Sequence, residues 1–328
     1  MQTGPIVKMK RVGWLLCLTL LTAAMSAAAQ NEDLALDELV RSAEQWAAEN
    51  LDEDFLKALQ SGDQEKVQQF LAELEKRFRA EYVLDLASAR DAAKGILPLL
   101  DQYEETVPYA LWLRTRLDYL DVAEQLRRPR PIREPKTEPP PKPATAPSPE
   151  KLREAWRKKV VDVTWPERAK PYVSRLKPIF VAEKVPPELV WVAEVESSFD
   201  PRARSPAGAA GLFQLMPGTA QHYGLRTMWP LDQRLKAEPS ARAAARYLRF
   251  LHERYKDWPL ALAAYNAGQG RVDRLLAVQK ERRFEKIACH LPAETQMYVP
   301  KLEATLLRRE GVTFSQLRAP ESPATKPD

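Results

Sequence analysis

The 328-residue sequence predicts a mainly α-helical protein in two helical parts joined by a proline-rich linker. Three observations lead there. Apolar residues recur every three or four positions in both halves, as in Val67, Phe70, Leu71, Leu74 and Phe78. Glycine and proline fall in clusters between such runs rather than within them. Residues 129–149 hold nine prolines, including Pro139-Pro140-Pro141, and too few apolar side chains to build a core, so an extended linker is expected there.

The first 29 residues stand apart. Lys8, Lys10 and Arg11 precede an apolar run from Val12 to Ala24, and small residues follow to Ala27-Ala28-Ala29. A basic segment, a short apolar segment and an A-x-A site read as an export signal cleaved after Ala29. The competing reading is a retained anchor with peripheral membrane association, although the run is short for a bilayer span of roughly 20 apolar residues. Leu16 before Cys17 argues against lipid attachment. No later segment is apolar enough to span a membrane. The mature chain keeps only Cys289, so no internal disulfide is expected, and that cysteine is expected to be a small buried hydrophobe. His222, His252 and His290 have no zinc-ligand spacing, so no metal is expected.

Residues 30–128 form the first helical part. Between 31 and 128 there are 12 Lys/Arg and 22 Asp/Glu, a net of −10. Ser61-Gly62-Asp63, Pro98 and Pro108 mark expected helix boundaries. No chemistry is legible in this part; a docking module for a cell-wall protein, a spacer, or a cover on the other half are the readings. Residues 150–318 hold 30 Lys/Arg and 19 Asp/Glu, a net of +11, and residues 319–328 read as a disordered tail. The overall +5 therefore hides two halves of opposite sign. A basic half suits an anionic polymer or merely a solvated surface. An export signal argues against nucleic acid and fits a cell-wall polymer better.

The informative stretch opens at Pro186. Pro187 suits a first helical position, and the helix is expected to run to Phe199, with Asp200-Pro201 closing it. At 100° per residue, Leu189, Val192, Glu196 and Phe199 share one face. Glu196 thus lies in an apolar stripe, whereas Glu194 projects elsewhere and is expected to be solvated. A carboxylate among apolar neighbours loses hydration, so its pKa rises and it holds a proton near neutral pH. That is what a general acid for a glycosidic bond requires. Taken alone, such a Glu is more often structural, paired with an Arg.

The next segment, Ser205 to Ala220, reads as a structured loop from Pro206, Gly208, Gly211, Pro217 and Gly218. Gln214 and Thr219 supply hydrogen-bonding groups, and Phe213 and Met216 supply apolar faces, a mixture that suits sugars.

Four blocks, in order, resemble one family. Glu196-Ser197-Ser198-Phe199 is followed by Ser205-Pro-Ala-Gly-Ala-Ala-Gly-Leu-Phe-Gln-Leu-Met-Pro-Gly-Thr-Ala220. Then come Ala264-Tyr265-Asn266-Ala267-Gly268 and Leu291-Pro292-Ala293-Glu294-Thr295-Gln296-Met297-Tyr298-Val299. Together they resemble the family-1 lytic transglycosylases, nearest the membrane-bound lytic murein transglycosylase D branch. Trp258-Pro-Leu-Ala-Leu points to the same branch. The resemblance spans residues from about 170 to 309 and leaves the acidic part untouched.

It implies a lysozyme-like catalytic domain, peptidoglycan glycan strands as substrate, a periplasmic location, and no cofactor. It implies Glu196 as the single catalytic acid/base. Ser197 would help place the sugar, and Gln214, Met216, Tyr265, Asn266, Glu294 and Tyr298 would bind substrate. The product would carry a 1,6-anhydromuramoyl end. Two departures stand out: Phe213 replaces a usual Met or Trp, and Glu194 takes a usually apolar position. No C-terminal glycan-binding LysM repeat is visible. The residues leave two alternatives open: a hydrolytic muramidase, for which Asp232 or Glu294 would be the second carboxylate, and a non-catalytic glycan-binding scaffold. A hydrolase would hold its two carboxylates roughly 5–10 Å apart.

Overall fold

The computed structural model describes Glu75, Phe78 and Arg79, and residues 83–101, 104, 106–127, 147–161, 163–228 and 230–320. The export signal, the Ser61-Gly62-Asp63 break, most of the linker and the tail beyond 320 lie outside the described residues. Those that are described are mainly helical, as expected, and their only β pairing is a pair of isolated bridges, Arg204 with Ala210 and Ala210 with Leu215. No described helix is long and apolar enough to cross a membrane.

Two helices come from the acidic part: α1 (Arg90–Leu100) and α2 (Val107–Leu126). Pro108 opens α2, as its fixed φ favours. Pro98 lies inside α1 rather than before it; the helix ends two residues later, so the expected boundary is displaced by less than a turn. Helix α3 (Pro149–Val160) begins at the last linker residue. Ser148 caps it, and Arg157, Lys158 and Lys159 sit in its last turn, where cations favour the helix dipole.

The basic half continues with α4 (Lys170–Ala182), a 3₁₀ segment (Pro187–Trp191) and α5 (Val192–Ser197). The single helix expected from Pro187 to Phe199 is therefore a tight turn followed by six residues of α-helix. Ser198 and Phe199 both turn left-handed, with φ of 50° and 57°. This ends the helix two residues early and places Glu196 at its exit. Then follow α6 (Pro217–His222), α7 (Ala237–Tyr255), α8 (Trp258–Ala267), α9 (Gln269–Ala277), α10 (Phe284–Ile287) and α11 (Ala293–Glu310). Pro217 and Gly218, read as loop, start α6 because proline suits a first helical position. Asp257 caps α8 through the Leu260 amide at 2.8 Å. Left-handed Gly311 ends α11.

Helix α11 is the hub. Tyr298, Val299, Leu302 and Leu306 join the core of the basic half, which includes α4, α5, α7 and α8. Ala293, Met297 and Ala304 join a second core with α1, α2 and Trp156 of α3. Helix α2 also packs directly on α5. The acidic part is thus separate along the chain but not in space: its described helices share a core with the basic half. Cys289, expected to be buried, is exposed. It lies on a 3₁₀ turn (Ala288–His290) whose inward position is taken by Ala288.

Residues 203–215 fold back on themselves below α7. Arg234 donates to the carbonyls of Gly208 (2.7 Å) and Leu215 (3.0 Å), while Asp232 holds its guanidinium at 2.8 Å. Gly211 has φ 81°, and a Cβ there would overlap the Arg234 carbonyl. Gly211→Ala is therefore expected to destabilise the protein by about 1–3 kcal/mol, visible as a lower thermal midpoint; an unchanged midpoint would show that this contact does not hold the loop.

Candidate active site

The exit of α5, the 203–216 loop, the end of α8 and Arg116 of α2 enclose a cleft of about 170 Å³. Glu196 lies at its base, only 4% exposed. Its position follows from local structure: the left-handed pair Ser198-Phe199 turns the chain away, with the Ser198 amide on the Glu194 carbonyl and the Phe199 amide on the Ala193 carbonyl. Phe199 packs edge-on against Trp191 and stacks with Tyr172, which holds that unusual backbone in place.

The Tyr298 hydroxyl donates to Glu196 Oε1 at 2.8 Å. Burial raises the Glu196 pKa from an ordinary 4.5 to about 7. Arg116 and the Tyr298 hydrogen bond act against that rise, and the Glu294 charge adds to it. Tyr298 itself is buried and held well above its usual pKa, so it remains a donor. Glu196 is thus a carboxyl group that keeps a substantial protonated fraction at neutral pH, facing an open cleft.

Gln214, Met216, Tyr265 and Asn266 all line this cleft with Glu196, as does Thr219. Gln214, at φ 44°, donates through Nε2 to the carbonyls of Ala203 (3.0 Å) and Gly211 (2.9 Å). Its Oε1 is buried without a protein partner, an acceptor free to meet a ligand donor. Tyr265 donates to the Phe213 carbonyl at 2.7 Å and so ties α8 to the loop. Asn266 Oδ1 accepts from Thr295 at 2.6 Å. Met216 is exposed and offers the cleft its apolar face.

Three expected site residues lie behind the cleft instead. Ser197 donates to the Leu212 carbonyl at 2.8 Å and is buried, pinning α5 to the loop. Tyr298 meets Glu196 from α11 and is buried. Glu294 is 4% exposed and ion-paired with Arg116 at 3.0 Å. Phe213, expected to present an apolar face, is fully buried against Phe180, so Met216 alone of that pair reaches the cleft. Glu194 is not solvated: Arg309 of α11 holds both its oxygens, at 2.7 and 2.9 Å. Asp232 is taken up by Arg234.

Sequence reasoning did not reach Arg116, Glu75, Arg79 and Tyr247, which also line the cleft. Glu75 is buried, accepting from Arg79 at 3.0 Å and from the Ala207 amide. Arg116 had a weak signal: it has Trp112, Leu113, Leu117 and Leu120 within a turn of it on the helix, where a charge that turns inward needs an internal partner. Among the described residues, no group of three or more His, Cys, Asp or Glu is placed to hold a metal.

Residues 181–288 match the family model of the Transglycosylase SLT domain. Over these residues the chain is similar to an SLT domain. It is 39% identical over 140 residues to "Membrane-bound lytic murein transglycosylase D" of Escherichia coli strain K12, covering 42% of this chain and 31% of that protein. It is 33% identical over 126 residues to "Putative tributyltin chloride resistance protein" of Alteromonas sp. strain M-1, covering 38% of this chain and 61% of that one. It is 37% identical over 86 residues to "Soluble lytic murein transglycosylase" of Salmonella typhimurium strain LT2, covering 25% of this chain and 13% of that one. The chain thus spans less than a third of the length of the first of these relatives. Glu196 and the whole loop that faces it fall within the SLT domain, whereas Arg116, Glu294 and Tyr298 lie outside the matched residues.

The burial of Glu196 has a stability consequence. A carboxyl whose folded pKa is raised destabilises the fold once it must ionise. That cost is absent below pH 4.5, grows between 4.5 and about 7, and is constant above. Glu196→Gln is therefore expected to stabilise the protein at pH 8 by about 3 kcal/mol and to be neutral at pH 4. Denaturant titrations at the two pH values check it; equal effects at both would mean Glu196 ionises freely.

Proposed function

We propose that this protein is a peptidoglycan lytic transglycosylase, with Glu196 as its single acid and base. The observation that carries the reading is a buried, protonatable carboxyl at the base of an open cleft, inside an SLT domain. That domain also supports the lysozyme-like reading of the catalytic half.

In the proposed reaction, the Glu196 carboxyl protonates the oxygen joining N-acetylmuramic acid C1 to N-acetylglucosamine. The C1–O bond breaks, and N-acetylglucosamine leaves with a free 4-hydroxyl. Glu196, now a carboxylate steadied by the Tyr298 hydroxyl, takes the proton of the muramoyl C6 hydroxyl. O6 closes on C1 to give the 1,6-anhydro ring, and Glu196 is again protonated. No water is consumed. A group near neutral pKa serves both halves, because neither proton transfer is far uphill. The free Gln214 oxygen and the Asn266 amide suit the hydroxyls and acetamido groups of the sugars, and Met216 suits a ring face.

A hydrolytic muramidase is the second reading, and Glu75 is the observation that favours it, since it brings a second carboxylate to the cleft lining. Both its oxygens, however, are occupied by Arg79 and the Ala207 amide. Asp232 and Glu294 are likewise committed to arginines. Export to the periplasm, the signal at residues 1–29, peripheral membrane association and a cell-wall protein partner for the acidic part remain parts of this proposal.

Glu196→Gln is expected to lower muropeptide release from purified murein by at least 10²-fold; release at the wild-type rate would overturn the assignment. Mass spectrometry of the wild-type products is expected to give 1,6-anhydro ends, one water lighter than reducing ends. Reducing ends alone would favour the hydrolase, in which case Glu75→Gln should abolish them.

A further inference from the structure

The buried pair Arg116–Glu294 lies directly behind the catalytic carboxyl and joins two segments outside the SLT domain match. Arg116 comes from α2, in the acidic part of the chain. One of its terminal nitrogens donates to the Glu196 main-chain carbonyl (3.2 Å) and to Thr115 Oγ1 (2.7 Å), and the other donates to Glu294 Oε1 (3.0 Å). The guanidinium lies over the Trp112 ring, 5.1 Å from its centre. Both charged side chains are more than nine-tenths buried. Desolvation opposes burying such a pair, and an apolar pair of equal size packs as well or better. Its value must then lie in where it puts charge and hydrogen bonds.

We propose that the Arg116–Glu294 pair is a positioning device for Glu196, through which the acidic helical part fixes the exit of α5 and sets the proton affinity of the catalytic carboxyl. This rests on Glu196 being the acid. The Arg116 contact to the Glu196 carbonyl fixes the backbone from which the acid projects. Its two charges then act with opposite signs on that acid: the guanidinium favours the carboxylate, and Glu294 disfavours it. The other groups around Glu196 leave these two as the decisive charges. Tyr298 of α11 donates one hydrogen bond to it, Tyr265 of α8 is neutral, and Arg79, paired with Glu75, stands across the cleft as a weaker positive influence. Glu194, on its own helix, is neutralised by Arg309. The preceding turn buries only apolar Leu189, Val190 and Trp191. Lys301 of α11 faces away, over the Tyr119 and Trp156 rings and against Asp118.

The test is the pH–rate profile of the full chain on soluble, uncrosslinked glycan strands. The acid must be protonated to start the reaction, so the alkaline limb reports its pKa. Glu294→Gln removes a negative charge, and that limb is expected to move down by about one pH unit. Arg116→Met removes a positive charge, and the limb is expected to move up by about the same amount. Arg116→Lys keeps the charge and should leave the limb near its wild-type position while restoring part of the rate. Glu294→Gln is isosteric and carries the test alone should Arg116→Met not fold. A limb that stays in place in Glu294→Gln, with a fall in rate at every pH, would overturn the proposal and leave a structural role. A rise in KM without a shift would overturn it in favour of direct substrate contact by Glu294. An active Glu196→Gln enzyme would instead sink the functional reading itself, whatever the limbs do.

Discussion

One constraint organises this molecule: a carboxyl group, Glu196, is buried at the base of a cleft and kept dry enough to hold a proton near neutral pH. Burial alone favours its neutral form. The structure moderates burial with one hydrogen bond, from Tyr298, and one positive charge, Arg116, itself balanced by Glu294. Each of these groups must be brought from a different place in the sequence. Much of the architecture follows: α11 packs on α5 and delivers Tyr298 and Glu294, and α2 packs on α5, shares a core with α11 and delivers Arg116.

Such an arrangement explains why α11 is buried nearly all round although it carries Glu294, Thr295, Gln296, Lys301 and Thr305 in its interior positions. A polar helix in a core is costly unless every group finds a partner. Here Gln296 donates to the Leu291 carbonyl, Thr295 to Asn266, and Thr305 to the Lys301 carbonyl. The two ionised groups are met by α2. Arg116 pairs with Glu294, and Asp118 with Lys301, so each helix gives the other one cation and one anion. Sliding α2 by a turn would leave Arg116, Glu294 and Lys301 buried without their partners. The exchange therefore fixes register more than it adds stability.

What the sequence disclosed divides along the same line. Groups that act through local pattern were legible: Glu196 in an apolar stripe and Gln214 in a glycine-punctuated loop, while Tyr265 and Asn266 were reached through the family resemblance. All of them line the cleft. Groups whose role depends on distant pairing were not. Glu194 was expected to be solvated, yet Arg309, 115 residues along the chain, holds it. Ser197 and Glu294 were expected at the sugar, but each turns inward, Ser197 to the loop carbonyl of Leu212 and Glu294 to the guanidinium of Arg116. The helix end at Ser197 was misjudged for a related reason. Left-handed Ser198 and Phe199 cost about 1–2 kcal/mol each, and only the aromatic packing of Phe199 against Trp191 and Tyr172 offsets it.

The composition of the two halves takes on a different meaning in this light. Net charges of −10 and +11 suggested two modules that meet, if at all, through diffuse attraction. The contact that matters is of another kind. It consists of the buried pair Arg116–Glu294, beside the half-open pair Lys301–Asp118, within a core shared with Trp156, and a buried pair is screened far less by salt than surface charges are. Charge asymmetry across the linker thus says little about how the halves join. The buried Arg116 of α2 says more, because a buried charge calls for an opposite one in the fold, and here that partner, Glu294, stands behind Glu196.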